Sequence, residues 1–386
     1  MSERVEWPSV AVLLILAVAG VAGCERSGHN AGTDPFRGLE THRVEEEPAL
    51  SIGAVQGAEH ELFGRIRRVA LVSDSVLGVL DGGANAVRFF DLRGDFLSES
   101  GGPGEGPGEL AFVSESWVDE DGSIGVIDLA LRRVTRYRGD GGFDLLDHPQ
   151  NPVAEGEVSR HFGRTGGHWL VITGRLLPEP PRGQILSSVV GLRAIGPSGA
   201  GGEPIDVPAM PWYMTRDGRF VRLPAVLSPI PRVDINRGVG GVLDPANARV
   251  LIHAGVGHWD EVSLPRRCPP VPEEFFEDSA EGTGLRAEIP LSEFREVAPM
   301  CRPAYDHLAV SSDGLLWVRL TRDGGENEAV ERWFVIDPEG KPMRGVFLPT
   351  RFTPMDIRDG VVYGRWLDSL EVNYVKGLRL LNPWEQ

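Results

Sequence analysis

Residues 100–110, SGGPGEGPGEL, hold five glycines and two prolines. Backbone N–H groups freed by such glycines can cradle a phosphate. The spacing does not fit that chemistry. A dinucleotide fingerprint through Gly102 and Gly104 needs glycine at 107, which is Pro107, and no Gly-Lys-Ser/Thr follows. Glu105 and Glu109 ride on the stretch and either reach a channel mouth or face solvent. Local motifs for hydrolysis or metal binding (G-x-S-x-G, H-E-x-x-H, C-x-x-C, an EF-hand loop) do not occur either. The nine histidines are scattered. Only His253 and His258, in LIHAGVGHWDE with Asp260, stand close enough to share a rim; the alternative is hydrogen-bonded structural histidines. Cys268 and Cys301 flank 32 residues that read as an insertion, either as a disulfide pair or as two free thiols; an oxidising compartment favours pairing.

The remaining cysteine sets the compartment. Residues 10–23 form an uncharged apolar run that begins just after Pro8 and Ser9 and ends at Cys24. A membrane-spanning helix needs roughly 20 apolar residues, so the run fits a signal-peptide core instead. Val21-Ala22-Gly23-Cys24 resembles the lipobox of bacterial lipoproteins. That resemblance implies cleavage before Cys24, acylation of its thiol, and membrane attachment through the lipid. The n-region departs from the pattern, because Arg4 lies between Glu3 and Glu6. Residues 24–47 read as a polar tether. Glu25, where an aspartate would favour inner-membrane retention, points to the outer membrane, facing the periplasm or the surface.

The chain has 386 residues, a net charge of −17, 49 glycines and 30 prolines. It is long enough for one large β domain with many turns. Lysine occurs only at Lys341 and Lys376. An acidic chain with no basic run repels phosphate backbones, so nucleic acid is not an expected partner.

The elements that must position any site show themselves as a repeat. Leu77-Gly78-Val79-Leu80-Asp81 falls on Ile124-Gly125-Val126-Ile127-Asp128, and Val87, Phe90 and Phe96 fall on Val134, Tyr137 and Phe143, all at an offset of 47 residues. Each unit alternates apolar residues between Gly, Asp and Asn turns, as short strands do. Asp121-Gly122 is expected to form a type I′ hairpin turn. Asp313-Gly314 and Asp359-Gly360 mark two more hairpins, 46 residues apart. Four-stranded units of this length predict an all-β propeller. Six blades are expected, beginning near residues 66, 113, 158, 210, 304 and 351, or seven if Asp217-Gly218 opens its own. The domain spans 48–386, with an inter-blade excursion at about 265–303. The last unit has room for three strands, so residues 49–55 are expected to supply its fourth and close the ring. Asp81 and Asp128 are expected to cap turns rather than hold a metal.

The segments RGDFLSESGGPGEGPGEL and DEDGSIGVID, the DGLLWV at 313–318 and the final LEVNYVKGLRLL resemble the NHL-like six-bladed propellers of bacterial lipoproteins, of TolB-like architecture. The resemblance implies the fold, and it makes 100–110 a crossing between blades. Two functions are compatible with it. One is a non-enzymatic binding or scaffold module for a protein, peptide or glycan. The alternative is a hydrolase or lyase using Ca²⁺ or Zn²⁺ in the central channel, since propeller enzymes can assemble a site from single residues on different blades. No cofactor and no catalytic residue is identified.

Overall fold

The computed structural model of the protein describes residues 36–146, 157–175, 181–186, 188–197, 199, 201–209, 211–222, 227–255, 258–271, 293, 295–296, 299, 301–322 and 329–381. The apolar N-terminal run, Cys24 and the first part of the expected tether lie outside these residues.

Two short strands, β1 (Glu40–Arg43) and β2 (Leu50–Ile52), precede the blades. Blade 1 is β3 (Ile66–Leu71), β4 (Val76–Asp81), β5 (Ala86–Asp91) and β6 (Phe96–Gly101). Blade 2 is β7 (Val113–Val118), β8 (Ile124–Asp128), β9 (Arg133–Tyr137) and β10 (Phe143–Leu146). Blade 3 is β11 (Glu157–Thr165), β12 (His168–Arg175), β14 (Val189–Ile195) and β15 (Ile205–Pro208); β13 (Gln184–Leu186) leaves it to pair with β16 (Trp212–Met214), which pairs with β17 (Phe220–Arg222). Blade 4 is β18 (Arg232–Asn236), β19 (Val239–Asp244), β20 (Arg249–His253) and β21 (Asp260–Ser263). Blade 5 is β22 (Tyr305–Val310), β23 (Leu316–Leu320), β24 (Val330–Ile336) and β25 (Pro342–Pro349). Blade 6 has three strands of its own, β26 (Phe352–Arg358), β27 (Val361–Leu367) and β28 (Asn373–Arg379), and takes β2 as its fourth. The chain is an all-β propeller of six four-stranded blades.

A blade between two others is covered on both faces, so its inner strands are apolar at nearly every position. All of β4 but its first residue is buried, whereas the outer β10 alternates between exposed and half-buried. The core lies in the seams between blades. Leu50, Ile52, Val69, Leu71, Val361 and Tyr363 fill the seam of blades 6 and 1. Trp117, Trp317 and Trp333 are fully enclosed in others.

Ring closure follows the strand count. Leu50 pairs with Gly377, Ser51 with Lys376 and Ile52 with Val375, antiparallel. The expected tether is corrected at its C-terminal part, because β1 adds a fifth, parallel strand to the outer edge of blade 5, with Thr41 opposite Gly345. Phe36 lies over Phe347 at 5.9 Å, in space that exists because residue 345 has no side chain; a Cβ there would sit 2.1 Å from the Phe36 ring. Phe36 and the aromatic stack beneath it supply the apolar contact that orders this polar segment.

Blade 4 starts at Arg232, not near 210. The Asp217-Gly218 hairpin belongs to the three-stranded β13-β16-β17 sheet and makes no seventh blade among the described residues. The Asp121-Gly122 turn is also not type I′: only Gly122 has positive φ, and Asp119 N bonds to Ser123 O across a longer hairpin. Asp359-Gly360 does have both residues at positive φ, 50° and 71°.

Leu50 and Ile52 are 4% and 5% exposed. Placing an aspartate at both positions should cost at least about 3 kcal/mol, and deleting 49–55 should lower the urea midpoint of the whole ring rather than trim a tail. An unchanged midpoint would show that β2 is dispensable.

Candidate functional site

The innermost strands β3, β7, β11, β18, β22 and β26 touch one another in a closed cycle around the axis. We call the end where they begin the upper rim and the end where they finish the lower rim. Inner strand edges have no ladder partner, so their polar groups must be met by side chains or by the opposite blade. At the lower rim this need laces the ring shut. Asp234 Oδ2 accepts from Val310 N at 2.7 Å, and Asn236 Nδ2 donates to Val310 O at 2.9 Å. Asp356 accepts from Leu71 N at 2.8 Å and Ser312 N at 2.7 Å, joining blade 6 to blades 1 and 5. Arg237 N donates to Val118 O at 2.9 Å, and its guanidinium donates to Leu71 O at 2.8 Å. Burial pushes the Asp356 carboxyl up, against the pull of these bonds.

Higher in the channel, Arg68 crosses from blade 1 to Asp234 of blade 4, with Nη1 and Oδ1 2.6 Å apart and both side chains almost enclosed. Arg68 Nη2 also donates to Ser116 O of blade 2 at 2.5 Å. In blade 5, Arg319 bonds Asp306 at 2.7 Å and Glu331 at 3.0 Å. His307 projects beside this network, half-buried and ring-to-ring with Trp333 at 5.5 Å. Burial, then the Arg319 charge, pushes its imidazole down to about 4. Burial likewise lowers the Arg232 guanidinium, whose Nε donates to Asp306 O at 3.1 Å. A depression at the upper rim between blades 4 and 5 is lined by Ser228, Arg232, Asp306 and Thr321. The arrangement offers hydrogen-bond donors and fixed charge. It offers no nucleophile poised on a base.

The residues singled out from the sequence are placed as follows. Glu109 folds back onto its own loop, accepting from Gly106 N at 2.7 Å, and Glu105 is exposed. The loop crosses from blade 1 to blade 2 and is held by Tyr137 Oη on Gly108 O at 2.7 Å; Gly108 has φ 80° and lies against Phe143. Asp81 accepts from Gly64 N and Arg65 N at 2.9 and 2.7 Å, and Asp128 from Ala111 N and Phe112 N at 2.6 and 3.0 Å. These acceptors cap the crossings at the same offset of 47. His258 Nε2 is 3.7 Å from Asp260. His253 is buried and faces His168 at 5.8 Å and Trp259 at 4.9 Å, with burial pushing it down to about 4. His168 had no sequence signal for this grouping. Among the described residues, no three His, Cys, Asp or Glu side chains converge as a metal site. Cys268 and Cys301 form a disulfide, Cα–Cα 4.9 Å, in the excursion between blades 4 and 5. Cys24 lies outside the described residues.

Asp234 and Asp356 were missed. A signal was available: Val233-Asp234-Ile235-Asn236-Arg237-Gly238 and Met355-Asp356-Ile357-Arg358-Asp359-Gly360 match at an offset of 122. Both aspartates stand two residues before the end of an inner strand and reach the last amide of the next blade's inner strand.

A family model described as a 6-bladed beta-propeller matches residues 55–149. Among solved structures, the chain is similar to a Bacteroides vulgatus member of the DUF4221 family, at 10% identity over 88% of this chain and 98% of that one, with a TM-score of 0.47. It is also similar to a gluconolactonase from Xanthomonas campestris, at 14% identity over 88% and 98% with a TM-score of 0.39. A virginiamycin B lyase from Staphylococcus aureus matches at 13% identity over 82% and 95%, with a TM-score of 0.36. No curated protein matches. The reactions named for these proteins are theirs.

Two outcomes test the channel. Asp234→Ala strands the enclosed Arg68 charge and should cost about 3–5 kcal/mol, much of which Arg68→Met should restore in the double variant. If the two single losses simply add, the pair is not coupled. For pH, His307 and His253 stay neutral in the fold down to about 4, while the unfolded chain takes up their protons near 6.5. Their contribution is therefore full above 6.5 and lost as pH falls to about 4. Asp356 and Glu331, whose carboxyls burial raises, work in the opposite direction. The fall in urea midpoint between pH 7 and 4.5 should shrink by about half in His307→Gln or His253→Gln. An unaltered slope in both would contradict this.

Proposed function

We propose that this protein is a lipid-anchored, non-enzymatic propeller of the bacterial cell envelope that presents the upper rim of its ring to a protein, peptide or glycan. One observation carries the preference for binding over catalysis: the described carboxylates of the inner strands are already engaged by arginines or backbone amides. Asp234 is taken by Arg68 and Val310 N, Asp356 by three backbone amides, and Asp306 by Arg319. A general base or metal ligand needs a free lone pair facing the ligand. The lower rim is laced, which leaves the upper rim as the accessible end of the axis.

The anchor reading rests on Val21-Ala22-Gly23-Cys24. The described fold begins at Phe36. The chain between Cys24 and Phe36 spans at most about 40 Å, so acylation would hold the ring close to the membrane. The outer edges of blades 5 and 6, where β1 and β2 pair, would face the attachment side.

Wild-type protein should partition into the membrane fraction and take up labelled palmitate. Cys24→Ala should accumulate as precursor or soluble protein, without label. The purified Cys24→Ala chain should contain less than about 0.1 equivalent of Ca²⁺ or Zn²⁺ by elemental analysis. Normal processing and pelleting of the variant would defeat the anchor, and a stoichiometric metal would defeat the non-enzymatic reading.

A further inference from the structure

Along β27, Val361 and Tyr363 face blade 1 across the apolar seam. Strand alternation places Arg365 next in that row, at the upper end, with Val375 of the same seam as its cross-strand neighbour. The head of blade 1 is fastened directly beside it. Phe63 bridges Asn373, and Asn373 Nδ2 donates to Gly64 O at 3.1 Å. Arg65 follows Gly64 and is exposed at the upper rim. Arg67 lies at the β3 bulge between Ile66 and Arg68, and its Nη2 donates to Val113 O at 2.9 Å.

Among the described residues, none of Arg65, Arg67 and Arg365 forms an ion pair, whereas Arg68, Arg88, Arg249 and Arg319 each do. The Nε atoms of Arg67 and Arg365 are buried without a hydrogen-bond partner. Burial and the Arg65 charge both lower Arg365 and Arg67, so the cluster is held against its own repulsion. Glu115 is the carboxylate that acts on Arg67, and it is engaged by Arg160 at 2.9 Å. Uncompensated cations are notable on a chain of net charge −17.

We propose that Arg65, Arg67 and Arg365 form an oxyanion site on the upper rim around the head of blade 1, with Arg365 on its blade 6 side and Arg67 on its blade 2 side, taking a phosphate or carboxylate group of a ligand. Guanidinium groups match both oxyanions with paired N–H donors, and a bound anion would cancel the repulsion. The site deepens the binding-module reading by naming a ligand chemistry for the upper rim. It does not depend on the lipid anchor.

The test uses the full chain carrying Cys24→Ala, so that acylation cannot contribute to membrane binding. Inorganic phosphate and succinate, titrated against sodium chloride at equal ionic strength, should raise the melting temperature saturably. Arg365→Gln and Arg67→Gln should each weaken phosphate affinity at least tenfold, with Arg365→Lys in between. Sedimentation with phosphatidylglycerol vesicles, against phosphatidylcholine, separates the sources. Arg365-dependent pelleting identifies a lipid headgroup, and phosphate binding without pelleting identifies a soluble oxyanion. If the Cys24→Ala chain, Arg65, Arg67 and Arg365 intact, shows no stabilisation beyond chloride, the site does not exist. That result holds even if the substituted chains fail to fold, and it leaves the anchor and metal tests of the module standing. Phosphate affinity unchanged in both glutamine variants would equally overturn the assignment.

Discussion

Six sheets that meet edge-on at an axis leave the inner edge of each innermost strand without a neighbour to complete its ladder. Buried N–H and C=O groups cannot stay unpaired without a cost comparable to a lost hydrogen bond each. The molecule meets this constraint with side chains. Asp234 and Asp356 reach the last amide of the next inner strand, Asn236 reaches a carbonyl of that neighbouring strand, Arg237 reaches one across the axis, and Arg68 spans the channel to Asp234. A second set, Asp81 and Asp128, does the same for the crossings that lead from one blade to the next. Both aspartates are fully buried, and each gives its oxygens to backbone amides. The blades are thus fixed to one another by carboxylates as well as by apolar seams.

How much of this was legible follows from the same bonds. The 47-residue repeat could be read because blades 1 and 2 share the ungapped spacing of their strands and the capping aspartate. Even the αL turn residues Asn85 and Arg132 recur at that offset, with φ 52° and 48°. Ring closure could be read by counting, since three strands cannot make a four-stranded blade. The lacing aspartates were harder. Asp234 and Asp356 share a local pattern, but their offset of 122 residues is no multiple of the 47-residue repeat. A lone aspartate in a strand looks like any surface residue until its partner, an amide of another blade, is known. The β13-β16-β17 sheet suggested a blade start near 210 and the alternative of a seventh blade, because a hairpin around Asp217-Gly218 has the same local chemistry as a true blade hairpin. The C-terminal part of the tether was misjudged for a related reason. Glu40–Arg43 is polar, and its order comes from a ladder with β25 and from Phe36 over Phe347 rather than from its own apolar pattern.

Arginine does three separate jobs in this chain, and its near-monopoly over lysine gives them one chemistry. Arg68 in the channel and Arg319 across the strands of blade 5 act as forks that bond two groups at once. Between strands, Arg249 ties Asp244 to Glu261 within blade 4. At the upper rim, Arg65 and Arg365 meet no acid among the described residues. A planar fork with fixed donors suits the first two tasks, because a compact ammonium would make one bond where two are needed. The third group differs only in lacking its acid, so the difference lies in the surroundings and not in the residue type.

The lacing also bears on where ligands can act. A carboxylate that accepts three backbone amides, as Asp356 does, cannot release them for a substrate without opening the joint between three blades. Chemistry at the lower rim would therefore compete directly with stability. The upper rim carries no such penalty. Its crossings and turns are secured from beneath by Asp81 and Asp128, which leaves Arg65, Phe112 and Leu129 displayed above them: Arg65 and Phe112 each follow the first amide bonded to the carboxylate, and Leu129 N bonds to Phe112 O. Phe112 and Leu129 are more than half exposed, large apolar groups on a rim otherwise rich in charge. A surface that combines fixed guanidiniums with exposed apolar side chains on a rigid base is suited to holding a ligand, because ordering it costs the protein little. The same buried aspartates that lock the ring thus make its upper face available for recognition.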